Sequence, residues 1–417
     1  MNSRALRFSW ILGDVFFVNL AYVTAFLIRF GGAIPARNFE SFLLMAPLVT
    51  VVTLLALGLM DLYTPANGDR TEVLIGVLLA LALSNILSAG LTYYVGAVAF
   101  PRGVLAIGFP LQVMLMGGMR AVTKSRLTGA PSAVWLSRSR VPGTGRSAET
   151  QAEAFGLQSR DDIAAALDQS ADSDLYLYPT ALDLMISSMQ LSCIHDSPVL
   201  HLPASGLAAF DRSLKRCSDL VLAGLGLVLT APLLPFIALG IKLSGPGPVV
   251  YSQVRLGRGM VRFRLYKFRT MVMDAEEETG PTLAEENDAR VTPFGSVLRR
   301  LRIDEIPQLV NVLKGDMSVV GPRPERPYFV EQLQREIPGY GFRFLVKPGL
   351  TGLAQVMGNY DTAPEDKLLF DIYYILNHSH LQDLKIVLQT AKALLLLRKT
   401  RGVLRRREER ASSSLGI

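Results

Sequence analysis

The chain has 417 residues, half of them hydrophobic, and a formal charge of +7 at pH 7. A mean hydropathy of +0.30 is high for a soluble protein; with the basic balance, it points to a membrane surface and phosphorylated substrates rather than nucleic acid. Two cysteines (Cys193, Cys217) and four histidines (His195, His201, His378, His380) form neither a disulfide framework nor a metal-binding spacing, which argues against a His/Cys metal centre.

In chain order, the first third reads as membrane. A spanning helix needs about 20 mostly apolar residues. Residues 8–28 and 42–62 qualify, 73–100 is almost uncharged, and 104–119 completes a fourth, shorter segment. Further spans follow the first and no small-residue cleavage pattern stands out, so the N-terminal segment is not read as a signal peptide. Asp14 falls inside the first span, with no partner apparent from the sequence. Arg4 and Arg7 precede the first span, Arg70 lies between the second and third, and Arg120, Lys124 and Arg126 follow the fourth. Arg29, Arg37 and Arg102 fall on the other side, so the charge bias is modest; it puts both ends of the bundle in the cytoplasm.

Residues 128–210 read as a small α/β module. Residues 133–136, 175–178 and 199–202 are short apolar runs suited to buried strands, and 161–167 has helical periodicity. No phosphate-binding G-x-G-x-x-G follows the first strand, and the local GTGRS at 143–147 lacks the lysine of a Walker A loop. A structural or regulatory role suits the module better than a dinucleotide site.

Residues 217–243 are long and apolar enough to cross, but Pro232 and Pro235 break the stretch and cations flank it: Lys215 and Arg216 before, Lys242 after. A segment that enters and leaves on one face fits both facts, with the break at Pro232. Hydropathy alone would favour a kinked fifth span. Further on, residues 384–397 are apolar and helical, followed by the cluster Arg398, Lys399, Arg401, Arg405, Arg406 and Arg407. That pairing suits a helix on an anionic leaflet, or equally a core-packed helix with a basic tail.

Between these segments the chain is dense in candidate chemistry. LRIDEIPQL at 301–309 places Asp304 at or just before a helix N-terminus, because Pro307 is tolerated in a first helical turn. A carboxylate there is expected to stay ionised, beside N–H groups that favour a phosphate. Asp304 and Glu305 point in different directions, so one can attack phosphorus while the other holds a magnesium ion; a plain cap is the alternative for Asp304 standing alone. GDMSVVGPRP at 315–324 offers Gly321, which permits close backbone approach, and Arg323, presented between two prolines. In residues 263–268 apolar and basic positions alternate as in a strand, putting Lys267 and Arg269 side by side on one face. Arg290 is a further candidate phosphate ligand, and KPGLTG at 347–352 is a turn that either lines the site or merely connects.

The runs KFRTM, IDEIPQL, GDMSVVGPRP and KPGLTG are individually modest, but in this order and spacing the stretch from about Lys215 to about Leu397 resembles the bacterial sugar transferases, the polyprenyl-phosphate glycosylphosphotransferases. Four spans followed by a reduced α/β module resemble the long, exopolysaccharide-type members. The resemblance implies that Asp304 attacks the sugar-bearing phosphorus of a UDP-sugar and releases UMP, that Glu305 holds Mg2+, and that Lys267, Arg269, Arg290 and Arg323 bind phosphate. It also implies that a polyprenyl (undecaprenyl) phosphate accepts the hexose 1-phosphate, in the initiating step of exopolysaccharide, O-antigen or capsule synthesis. Two departures stand out: Ala231-Pro232 where many members have Ser-Pro, and Ala289 where many have Pro before the residue equivalent to Arg290.

The expected architecture is a four-helix transmembrane bundle (1–127), a degenerate Rossmann-like module (128–210), a C-terminal α+β monotopic catalytic domain (211–400) with a re-entrant helix (217–243), and a basic tail (401–417). The expected setting is the bacterial inner membrane, with the catalytic domain facing the cytoplasm, among membrane lipids, and as a homodimer. Two rival readings remain. One is a metal-dependent glycosyltransferase that releases UDP and uses Asp172-Ser173-Asp174 as a D-x-D motif. The other is a non-catalytic transport or assembly component.

Overall fold

The computed structural model describes residues 3–63, 70–94, 101–126, 209–273, 288–358 and 362–396, strands at 133–137, 154–156, 174–177, 190–194 and 197–201, and residue 184. The chain divides into two compact units, Met1–Ala130 and Pro131–Ile417.

The first unit consists of α1 (Ser3–Phe30), α2 (Ala36–Leu59), α3 (Arg70–Tyr94) and α4 (Arg102–Arg126). α1 packs on α2 and α4, and α3 packs on the same two helices. Apolar length selects these helices; polar side chains stitch them together. Asn19 donates to Thr50 Oγ1 at 3.1 Å, Thr53 and Ser84 hydroxyls meet at 2.6 Å, and Asn85 joins Tyr22 at 3.3 Å and Gln112 at 3.0 Å. Asp14, unexplained in the sequence, receives two hydrogen bonds from Arg120 at 2.8 and 2.6 Å, both side chains buried. In an apolar surrounding such groups are tolerated when they face one another.

The second unit opens with short strands: β1 (Ala133–Ser137), β2 (Ala154–Gly156), β3 (Asp174–Leu177), β4 (Gln190–Ile194) and β5 (Ser197–His201). The first three form a parallel sheet in the order β2-β1-β3, and β4 and β5 form an antiparallel pair. β1, β3 and β5 coincide within a residue or two with the apolar runs of the sequence. β2 and β4 were not anticipated, the former only three residues long and the latter beginning Gln-Leu-Ser. The expected helix at 161–167 lies outside the described residues, as do Asp172, Ser173 and the basic tail.

α5 (Ala209–Thr230) and α6 (Leu234–Leu243) are separated by a 3-10 turn at Ala231–Leu233 that contains Pro232. Thr230 Oγ1 turns back to donate to Gly226 O at 2.7 Å, occupying a carbonyl near the break. One narrow face of the segment rests on the core. A Cβ at Gly226 would sit 3.0 Å from the Leu309 side chain, and one at Gly240 would strike the Phe294 ring at 2.4 Å. The opposite face is bare: Val228, Leu229 and Phe236 are 71%, 67% and 73% exposed. Arg212–Leu243 and the four N-terminal helices are each long and apolar enough to cross a bilayer. The protein is therefore a membrane protein with an α/β domain in its C-terminal part.

That domain continues through β6 (Val250–Leu256), β7 (Arg262–Phe268), α7 (Pro293–Arg300), α8 (Gln308–Lys314), β8 (Ser318–Val320), α9 (Pro327–Glu336), β9 (Gly349–Thr351), α10 (Leu353–Met357), α11 (Pro364–Leu376) and α12 (His380–Leu395). β6 and β7 form an antiparallel hairpin in which Tyr251 faces Lys267, and β8 pairs in parallel with β9. A core of Leu265, Leu309, Val312, Met317, Tyr374 and Ile386 brings β7, α8, β8, α11 and α12 together. α12 buries Ile386 there, as a core-packed helix would, and leaves Leu381, Leu384 and Leu395 exposed.

Candidate active site

Asp304 and Glu305 occupy a single 3-10 turn, Ile303–Glu305, between α7 and α8, with Pro307 capping α8. Upstream, Thr292 caps α7 by accepting a hydrogen bond from Gly295 N at 3.0 Å. Gly295 lies so close to the chain at Thr270 that a Cβ would sit 2.1 Å from the Thr270 carbonyl oxygen. Arg302, immediately before the turn, adopts a left-handed conformation (φ 54°, ψ 22°). A non-glycine residue held there stores strain, and such residues concentrate at functional sites.

Both carboxylates are 8% exposed. Arg323 Nη2 lies 2.8 Å from Glu305 Oε1, Lys267 Nζ lies 3.6 Å from the same oxygen, and Arg302 Nη1 lies 3.7 Å from Oε2. Burial alone would push Glu305 up, but Arg323, Lys267 and Arg302 together hold it down at about 2. Asp304 behaves oppositely. Burial, reinforced by the neighbouring Glu305 charge, pushes it up to about 6 against the pull of Lys267, Arg299 and Arg323. The sequence suggested a carboxylate kept firmly ionised by a helix N-terminus; here desolvation outweighs the helix end.

Lys267 and Arg323 are thus brought to the dyad. Arg323 leaves β8 through Gly321, which is as constrained as the sequence suggested. A Cβ at Gly321 would sit 2.5 Å from Lys347 O, and the backbone there is bound on both sides, Gly321 N to Thr351 O at 2.9 Å and Gly349 N to Pro322 O at 2.8 Å. The KPGLTG turn therefore forms the rear wall of the Arg323 turn.

One expected phosphate ligand, Arg269, is engaged elsewhere. Arg269 does not stand beside Lys267 facing the dyad. Its guanidinium donates to Ile241 O at 3.0 Å, Gly245 O at 2.7 Å and Pro246 O, closing the C-terminal end of α6. Free carbonyls at a helix end attract a cation, and they lie next to where β7 ends. Arg290 forms a two-pronged pair with Asp288, its Nε 2.8 Å from Asp288 Oδ1.

Several side chains that build the site escaped the sequence reading. Arg299 binds Thr270 Oγ1 at 2.8 Å, and its charge bears on Asp304; the basic run Arg299-Arg300-Leu301-Arg302 just before the dyad was the available signal. Asn311, fully buried, accepts from Tyr266 N at 3.0 Å and donates to Arg264 O at 2.7 Å, fixing α8 to the strand that carries Lys267. Arg343 pairs with buried Asp371 at 3.0 Å and donates to Arg323 O at 3.0 Å.

Among the described residues, no three His, Cys, Asp or Glu side chains converge as a metal cage. A magnesium ion needs less, since it commonly takes one or two carboxylates and completes its shell with water and substrate phosphates. Glu305 fits that requirement: it is ionised, and among the described residues its Oε2 has only the 3.7 Å contact with Arg302.

The model of the family described as "Bacterial sugar transferase" matches residues 210–396, the segment that holds all of this geometry. A glucose-1-phosphate transferase from Caulobacter vibrioides, named for UDP-glucose and undecaprenyl phosphate, is 46% identical over 188 residues, which are 43% of this chain and 69% of that protein. The chain belongs to the bacterial sugar transferase family. An Aeromonas hydrophila sugar transferase, named for transfer of N-acetylgalactosamine phosphate to undecaprenyl phosphate, is 42% identical over 216 residues, 51% of this chain and 50% of its own length. An Escherichia coli sugar transferase named for glucose 1-phosphate is 42% identical over 229 residues, 53% and 49% respectively. The match thus spans about half the length of these last two relatives.

Proposed function

We propose that this sugar transferase moves a hexose 1-phosphate from a UDP-sugar to a polyprenyl phosphate such as undecaprenyl phosphate, releasing UMP and initiating a surface polysaccharide. The observation that carries the reading is the pair of adjacent buried carboxylates, Asp304 and Glu305, under Arg302 just before their turn and two cations arriving from separate segments, Lys267 and Arg323. Relatives named for a UDP-sugar and undecaprenyl phosphate supply the donor and acceptor classes.

Asp304 is the nucleophile in this reading. A carboxyl that titrates near 6 is mostly ionised at neutral pH, and it is more basic than an ordinary carboxylate, which favours attack. An Asp304 oxygen bonds to the sugar-bearing phosphorus as the bond from that phosphorus to the bridging oxygen breaks; UMP departs with that oxygen. A phosphate oxygen of the polyprenyl phosphate then attacks the same phosphorus and frees the Asp304 carboxylate. Lys267 and Arg323 offset phosphate charge, which is most of what phosphoryl transfer requires of a protein. Glu305, ionised throughout, would hold Mg2+, which when bound neutralises charge on the diphosphate.

The same proposal puts the α/β domain at the cytoplasmic face of the bacterial inner membrane, with Arg212–Leu243 entering and leaving on that face. Support comes from both ends of this segment being tied to one domain: Lys215 to Asp383 at 2.7 Å, and Ile241 O to Arg269 at 3.0 Å. A homodimer completes the proposal. The direct test is nucleotide release from UDP-glucose, UDP-galactose and UDP-N-acetylgalactosamine with undecaprenyl phosphate and magnesium. UMP from the wild type and none from Asp304→Asn is expected; UDP release would move the chemistry to plain glycosyl transfer.

A further inference from the structure

The root of α5 grips the framework of the site at several points. Asp219, 5% exposed, accepts hydrogen bonds at Oδ1 from Ser318 Oγ and Val319 N, each at 2.9 Å. Lys215 Nζ donates to Val320 O at 3.3 Å and to Asp383 Oδ2 at 2.7 Å. Arg216 donates to Val312 O at 2.6 Å and Leu313 O at 2.8 Å, at the C-terminal end of α8. The two segments held in this way flank the chemistry: β8 runs straight into Gly321-Pro322-Arg323, and α8 follows the dyad.

β8 needs outside support. It has three residues and pairs with a strand of three residues, and so small a ladder does not hold its own position. Its side chains and backbone are buried, so Val319 N has to find an acceptor, and Asp219 is that acceptor. Beyond Val320, the tight seat of Gly321 against Lys347 and Gly349 leaves little slack before Arg323.

We propose that Asp219 is a positioning residue for the transfer reaction: from the root of the membrane segment it fixes β8, so that Arg323 is presented to Glu305 and to the donor phosphates beside the dyad. The inference rests on the phosphotransferase reading above. It makes the apolar segment part of the site's frame, since the helix that exposes its face for lipid also sets the register of the Arg323 turn.

Three variants of the full chain test this: Asp219→Ala, Asp219→Asn and Ser318→Ala. Asparagine keeps an Oδ1 acceptor for both hydrogen bonds, so Asp219→Asn should keep UMP release within about twofold of wild type. Asp219→Ala frees β8, and kcat should fall roughly ten- to a hundredfold, as misplacement by about an ångström does, with the donor KM much less affected. Ser318→Ala should lower kcat in the same way by less, and it decides the matter if Asp219→Ala does not fold. Unchanged kcat in both alanine variants, or an asparagine variant as poor as alanine, overturns the proposal.

Phenylglyoxal labelling of Arg323, read at the peptide level, gives a second readout independent of turnover. Faster labelling in Asp219→Ala than in wild type or Asp219→Asn is expected; equal labelling overturns the proposal. A wild type that labels in this pattern yet releases no UMP would sink the phosphotransferase reading and leave the positioning role standing.

Discussion

Asp304 and Glu305 are chain neighbours with opposite environments, one pushed up to about 6 and the other held at about 2. Pairs driven apart in this way divide a reaction between them. The sign of the Asp304 shift has two consequences. Attack requires the carboxylate, so the rate should fall about tenfold per pH unit below an apparent pKa near 6, checked by a pH–rate profile from pH 4.5 to 8. Stability runs the other way. A carboxyl raised from 3.8 binds its proton more tightly folded than unfolded, so the folded state loses stability as pH rises through about 6. Asp304→Asn should therefore abolish transfer and yet melt higher at pH 7.5, by on the order of 1–3 kcal/mol, with the advantage vanishing towards pH 4. Calorimetry at both pH values checks it; an Asn variant no more stable than wild type at pH 7.5 would refute the buried-charge account. At this scale contiguous motifs were enough to name Asp304, Glu305, Gly321 and Arg323, of which the fold brings Arg323 to the Glu305 carboxylate. The sequence could not order the two carboxyl pKa values, because desolvation belongs to the folded surroundings.

Elements explain why some cations lie at the dyad and others do not. Period-two alternation in β7 correctly marked a strand, and Lys267 lies within it. The strand ends at Phe268, however, and Arg269 meets carbonyls 23 to 28 residues earlier, at the end of α6. No local pattern announces so distant a partner. Asn311 is similar, its strand contacts lying 45 and 47 residues away. Arg269 can be separated from Lys267 by experiment. Arg269→Ala removes the closure of α6 and should lower stability by about 1.5–3 kcal/mol, as loss of charged hydrogen bonds does. Its kcat per folded molecule should stay within about threefold of wild type, whereas Lys267→Ala should lose roughly a hundredfold in kcat. Denaturant melts paired with UMP release would distinguish them, and an Arg269→Ala variant with intact stability but lost turnover would return that residue to the phosphate site.

The whole molecule poses a question of sidedness. Apolar length alone made α1 to α4 legible as membrane helices, and the same signal made Arg212–Leu243 a fifth candidate span. Hydropathy does not distinguish a helix that crosses from one that returns; what distinguishes them is where the two ends are held. A straight helix over 217–243 would reach about 40 Å, enough to cross a hydrocarbon core of about 30 Å. Yet Lys215, Arg216 and Asp219 bind α12, α8 and β8 at one end, while Arg269 and Gly247 bind α6 and Lys242 at the other. One α/β domain cannot keep both sets of hydrogen bonds across a bilayer. Cys217, exposed near the first end, is a native reporter, and Leu243→Cys, at a position 79% exposed, supplies the second, with Cys193→Ser silencing the other thiol. A membrane-impermeant maleimide should reach both positions in inverted vesicles and neither in spheroplasts. Labelling of the two positions from opposite faces would mean a full crossing. The hydrogen bonds at one end would then have to break, and with them the hold of Asp219 on the strand that presents Arg323.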